Sequence, residues 1–162
     1  MEDETYLKLR DYSLRLLSFR PRSIREISDK LKLYSSKKKI SEETIDQVIN
    51  YLKDQNFLND EEFVQWWFTQ RKSFRPKGFQ LIKLELLRKG IDKELIERFF
   101  ADSKNKGEDE FFSAMRVIEK KINLLKNLHK EEKKAKIFRL LAARGFSWEV
   151  IYHVIDEVLE KA

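Results

Sequence analysis

FLNDEEFVQWWFTQRKSFRPKGFQLIKLELLRKGI, residues 57–91, decides how the chain folds. Asn59-Asp60-Glu61-Glu62 opens a helix, with a side chain able to accept orphan backbone N–H groups and acids at the positive dipole end. Phe63, Trp66 and Trp67 recur at i, i+3, i+4, and Val64, Trp67 and Phe68 form a second such row. Two rows imply that this helix packs on its own bundle and on a neighbour. Ser73-Phe74-Arg75-Pro76-Lys77-Gly78 stops it, because Pro76 disfavours helical geometry at Arg75 and Gly78 tolerates a tight turn. A second helix is predicted from about Phe79 to Lys89, with Gly90 as its left-handed stop and Asp92 capping a third.

The same stretch concentrates charge. Arg71, Lys72, Arg75, Lys77, Lys83, Arg88 and Lys89 face a single acid, Glu85, so residues 71–89 carry an excess of six, equal to the net charge of all 162 residues. An anionic partner meeting this segment is the natural expectation.

Outward from the centre, the pattern repeats. In the first third, Tyr6–Phe19 is a broad apolar helix, broken by Arg20-Pro21-Arg22-Ser23. Ser23 and Glu26 are spaced as a capping box for a helix burying Ile24, Ile27 and Leu31. A basic loop, Tyr34–Lys39, precedes a helix burying Ile45, Val48, Ile49 and Leu52. Ala101–Gly107 reads as a linker. Beyond it lie a long helix through Leu125, one over Lys130–Ala143, and a last one carrying Trp148, Val150, Ile151, Val154 and Ile155. Ile82, Leu86, Gly90, Ile91, Asp92, Ile96 and Phe99 map at a constant offset of 55 onto Ile137, Leu141, Gly145, Phe146, Ser147, Ile151 and Val154. In the first third Lys39 stands where the Gly would be. The expected fold is therefore all-α: three three-helix repeats, residues 1–56, 57–104 and 105–162. Units this small bury too little surface to stand alone and should stack into an elongated, curved body. The aromatic surplus reads as glue at the seams, with Trp66 or Trp67 near one and Phe111 or Phe112 near the other.

Composition narrows the function. With 38% charged and 41% apolar residues, four Gly and two Pro, the chain suits helices with solvated faces. No apolar run could span a membrane, the acidic start lacks signal-peptide regions, and zero cysteines agree with a reducing cytosol. His129 and His153 fall in separate predicted helices without ligand spacing, so neither a metal nor another cofactor is expected. The glycines are scattered as turn formers, and acidic pairs sit at helix starts where the dipole accounts for them. An enzyme is not expected.

Cations gather where helices break. Arg20, Arg22 and Arg25 flank the first break, Arg71, Lys72, Arg75 and Lys77 the second, and Arg139 and Arg144 the third. With Lys83, Arg88 and Lys89 they form the candidate partner-binding set. Each exposed pair is worth only about 0.2–1 kcal/mol, so apolar anchors are also needed; Phe74, Phe79 and one of the two central Trp residues are the candidates.

In Leu14-Arg15-Leu16-Leu17 before Arg20-Pro21-Arg22-Ser23, Phe57–Phe63, Arg75-Pro76-Lys77-Gly78, Glu85–Ile91, and Lys133-Lys134-Ala135-Lys136 before Ala143–Ser147, the chain resembles the RecX family of recombination regulators. The resemblance runs from about Tyr6 to Leu159. It implies a non-catalytic, curved array of three-helix repeats, cytoplasmic and read here as a monomer. It further implies binding to RecA recombinase filaments on single-stranded DNA, hindering ATP turnover, strand exchange and coprotease action in DNA repair and the SOS response. The alternative is a helical module that contacts DNA phosphates directly, although no helix offers an Arg/Asn/Gln run for base readout.

Overall fold

In the computed structural model, residues 3–102 and 106–160 are described, and among them all regular structure is helical. The order is α1 (Glu4–Phe19), α2 (Ile24–Ser36), α3 (Glu42–Asp54), α4 (Asp60–Ser73), α5 (Phe79–Arg88), α6 (Lys93–Ala101), α7 (Lys106–Lys120), a 3-10 turn (Ile122–Leu124), α8 (Lys130–Ala143) and α9 (Trp148–Glu160).

The caps fall where short polar side chains allow them. Ser23 and Glu26 form the reciprocal capping box of α2. Ser41 Oγ accepts from Thr44 N–H at 3.3 Å, and Asn59 Oδ1 accepts from Glu62 N–H at 3.2 Å. Asp92 and Ser147 do the same for α6 and α9. Helix stops obey the register too. Gly90 and Gly145 lie in the left-handed region at φ 80° and 83°, and Lys39, their counterpart in the first third, is there at φ 54°. The position demands that conformation whatever residue fills it, and a Cβ makes it costly.

Three sequence boundaries move. Tyr34–Ser36 is helical rather than loop, and Tyr34 stacks on Tyr12 at 4.8 Å between ring centroids. The linker shrinks: Ala101 ends α6, Lys106 and Gly107 open α7, and residues 103–105 lie outside the described set. The long seventh helix stops at Lys120, where the chain tightens into the 3-10 turn that buries Leu125. His129 occupies the N-cap position of α8 without a side-chain capping bond and lies outside the helix, so only His153 is helical.

The contacts group into two compact units that do not follow the triplets. The first holds residues 1–66 and 87–95, the second 67–86 and 96–162, so the boundary cuts α4 between its two Trp residues. In the first unit Leu9, Ile27, Leu31, Ile45, Val48, Ile49, Leu52 and Leu58 form the core. In the second, Ala114, Val117, Ile118, Leu125, Ile137, Leu141, Phe146, Ile151, Val154 and Ile155 do so. Phe68 adds a ring cluster there with Phe79, Phe99 and Phe100, at centroid separations of 5.4–5.8 Å from Phe68. The expected seam aromatics divide differently: Phe111 stacks on His153 at 4.0 Å within its own triplet, and Phe112 is exposed.

Candidate partner-binding cations

Each unit contains one junction built from the same register positions. In the first unit, Ser23 Oγ donates to the Lys89 carbonyl at 2.7 Å, Ile24 N–H donates to Asp60 at 2.9 Å, and the aliphatic stem of Arg25 fills the space beside Gly90. In the second, Gly78 N–H donates to the Arg144 carbonyl at 2.8 Å, Phe79 N–H donates to Glu110 at 3.2 Å, and Leu81 lies against Gly145. Ser23 and Gly78, like Lys89 and Arg144, are 55 residues apart. Gly78 has no alternative, because a Cβ there would collide with the backbone of Gly145 and Phe146. The N-terminus of α2 or α5 thus receives a carboxylate from α4 or α7, which satisfies a helix-end donor and opposes the dipole.

These junctions decide which of the twelve cations named from sequence are available. Arg20 and Lys89 both lie on Glu26, with Lys89 at 3.5 Å. Burial alone would raise the Glu26 carboxyl, but hydrogen bonds from Arg20 and the Ser23 N–H, with the charges of Arg20 and Lys89, hold it below the ordinary carboxylate value. Arg22 Nε donates to the Leu16 carbonyl at 3.2 Å, and Arg25 pairs with Asp29 at 3.8 Å. Arg71 and Lys77 converge on Glu85, each at 3.1 Å, and the Arg71 guanidinium lies 4.3 Å from the centre of the Trp67 ring. Lys72 pairs with Asp109 at 3.2 Å, and Lys83 sits over Phe100 at 5.2 Å.

Asp60 and Glu110 behave oppositely to Glu26. Burial pushes both carboxyls up, against the N–H of Ile24 for Asp60 and the N–H groups of Phe79 and Ser147 for Glu110. Neither has a cation within ion-pair distance among the described residues.

What remains is a smaller set. No hydrogen bond or ion pair joins the side chains of Arg75, Arg88, Arg139 or Arg144 to another described residue, and Arg75, Arg88 and Arg139 are exposed. Arg75 also holds φ 44°, unusual for a side chain with a Cβ. Beside it Phe74 is 70% exposed, while Phe79 is committed to the ring cluster and Trp67 to Arg71. Phe19, the counterpart of Phe74 at the end of α1, is 76% exposed. It was not among the anchors expected from sequence; the paired Phe-Arg-Pro of residues 19–21 and 74–76 was the signal that could have found it.

Family models described as the first, second and third three-helix domains of RecX match residues 10–52, 59–98 and 108–155. The chain is 33% identical over 160 residues to the regulatory protein RecX of Clostridium beijerinckii, covering 98% of this chain and 71% of that one. It is 35% identical over 146 residues to the Bacillus subtilis protein of the same name, covering 90% of this chain and 53% of that one. The crystal structure of RecX from Lactobacillus salivarius superposes with a TM-score of 0.80 at 28% identity, covering 94% of this chain and 96% of that one.

Proposed function

Because the chain belongs to the RecX family, we propose that it binds RecA recombinase filaments on single-stranded DNA and restrains their ATPase, strand-exchange and coprotease activities. It does so as a cytoplasmic, non-catalytic monomer with three-helix units at 1–56, 57–104 and 105–162, acting in DNA repair and the SOS response. The observation that supports this reading is the sorting of its cations. Most of the basic residues near the breaks stabilise the chain itself, while Arg75, Arg88 and Arg139 keep exposed guanidinium groups with no internal carboxylate. A guanidinium already bound to Glu85 or Glu26 has little to offer a partner without breaking that pair. A free one gains a carboxylate or phosphate at no such cost. Bridging neighbouring recombinase subunits through several such contacts would hinder the motions coupled to nucleotide turnover.

The test is charge reversal confined to the free set. Arg75→Glu, Arg88→Glu and Arg139→Glu together should weaken inhibition of filament ATPase by about a hundredfold at unchanged helical content, at roughly tenfold or less for each contact. Undiminished inhibition would remove these residues from the interface. Direct DNA binding remains a second reading, favoured by the adjacency of exposed Phe74 and Arg75, a ring for a base beside a cation for a phosphate. Titration against free single- and double-stranded DNA at two salt concentrations separates the two. Tight, steeply salt-dependent binding without recombinase would support the second.

A further inference from the structure

The outer face of α8 and α9 carries features that the cation set does not use. Trp148 is 65% exposed and Tyr152 50% exposed, one helical turn apart on α9. Phe138 of α8 meets both, edge-on to Trp148 at 5.4 Å and tilted to Tyr152 at 6.5 Å, and Trp148 and Tyr152 are 6.0 Å apart. Three rings are thus fixed against one another with two of them open to solvent. Beside Phe138 and Tyr152 runs a groove of about 330 Å³, floored by Ala135 and Ile155 and edged by Glu131, Lys134 and Asp156. Glu149, exposed, stands three residues before Tyr152 and so shares its side of the helix.

The charge of this face runs against that of the chain. The groove is lined by Glu131 and Asp156 with Lys134 as the cation of its lining, itself paired with Glu131 at 3.7 Å, and Glu149 adds a third carboxylate on the Tyr152 side of α9. The chain as a whole carries +6. Neither Glu149 nor Asp156 has an ion-pair partner among the described residues. Aromatic faces flanked by unpaired carboxylates attract a cation twice, through the ring quadrupole and through charge. An anionic nucleic acid would be repelled by the same carboxylates.

We propose that this α8–α9 face docks a protein segment presenting an arginine or lysine side chain, the cation lying against Trp148 and Tyr152 with Glu149 and Asp156 as counter-charges. The proposed contact selects the opposite charge to that of the free cations above, of which Arg139 directly follows Phe138 on α8. It gives the molecule a second contact, for a basic segment.

The experiment is a titration of the whole protein with a tetra-arginine peptide, followed by two-dimensional NMR at the Trp148 indole N–H and the Tyr152 ring, the indole assigned through Trp148→Phe. A saturable shift at both is expected, with affinity falling about fivefold or more in the Glu149→Gln/Asp156→Asn double variant. Both substitutions are at exposed positions, and retained spectral dispersion verifies the fold. No shift at Trp148, an equal shift with tetra-glutamate, or undiminished affinity in the double variant would each overturn the proposal. So would movement of these signals on raising the protein concentration alone, with a dimer by sedimentation that Trp148→Ala abolishes; that result would assign the face to a second copy of the chain.

Discussion

The turns Phe19-Arg20-Pro21-Arg22-Ser23 and Phe74-Arg75-Pro76-Lys77-Gly78 share a vocabulary and divide the work differently. In the first, the arginine before proline folds back onto Glu26, and a serine hydroxyl reaches the carbonyl of residue 89. In the second, the arginine stands free at a positive φ, the following lysine takes the carboxylate of Glu85, and a bare backbone N–H reaches the carbonyl of residue 144. Position is copied between repeats; chemistry is not. The first turn spends its arginine on the fold, and the second leaves it available.

That contrast can be broken at several points, beginning with the turn that has no room. Gly78→Ala drives a Cβ into the backbone of Gly145 and should cost about 3 kcal/mol, read as a fall in the urea midpoint. Ser23→Ala, at the matching position, removes a cap and strands the Lys89 carbonyl, and should cost about 1–2 kcal/mol. A larger loss at Ser23 than at Gly78 would invert the comparison. Lys39→Gly relieves the left-handed stop of the first repeat and should stabilise by about 0.5–1 kcal/mol, the gain being limited by the freer unfolded chain.

The carboxylates give the smallest and most pH-dependent signal. The folded pKa of Glu26 is depressed, so its contribution is present above the ordinary carboxylate value and is lost as pH falls through the folded value. The folded pKa of Glu110 is raised, so its charge costs stability above the folded value, and that cost disappears as pH falls toward the ordinary one. Glu26→Gln should therefore flatten the acid-side loss of stability, and Glu110→Gln should steepen it, in urea midpoints measured between about pH 3 and pH 7. Identical slopes in both variants would contradict the two environments described.

Much of the fold was legible because helix signals are local. Ser23 with Glu26, Asn59 with Glu62, and the spacing of Ile82, Leu86, Ile91 and Ile96 onto Ile137, Leu141, Phe146 and Ile151 each depend on neighbours within a turn or two. The cations were less legible, since whether an arginine is free depends on a carboxylate brought close by folding. Glu85 lies 14 residues from Arg71, and Glu26 lies 63 from Lys89. Their local density in sequence marked the whole stretch as a surface for partners, while Arg71, Lys72, Lys77 and Lys89 turn inward to acids. The aromatic face of α8 and α9 escaped for a related reason: Trp148 takes its place in an apolar row, and only packing shows that it stays open.

Arg75→Gly tests the central division most directly, because it relaxes the backbone and removes the free guanidinium together. Thermal unfolding and inhibition of recombinase-filament ATPase, measured on the same preparation, should show a chain at least as stable as the parent and an inhibitor about tenfold weaker. A destabilised chain, or inhibition equal to that of the parent, would mean that Arg75 serves the fold as Arg20 does.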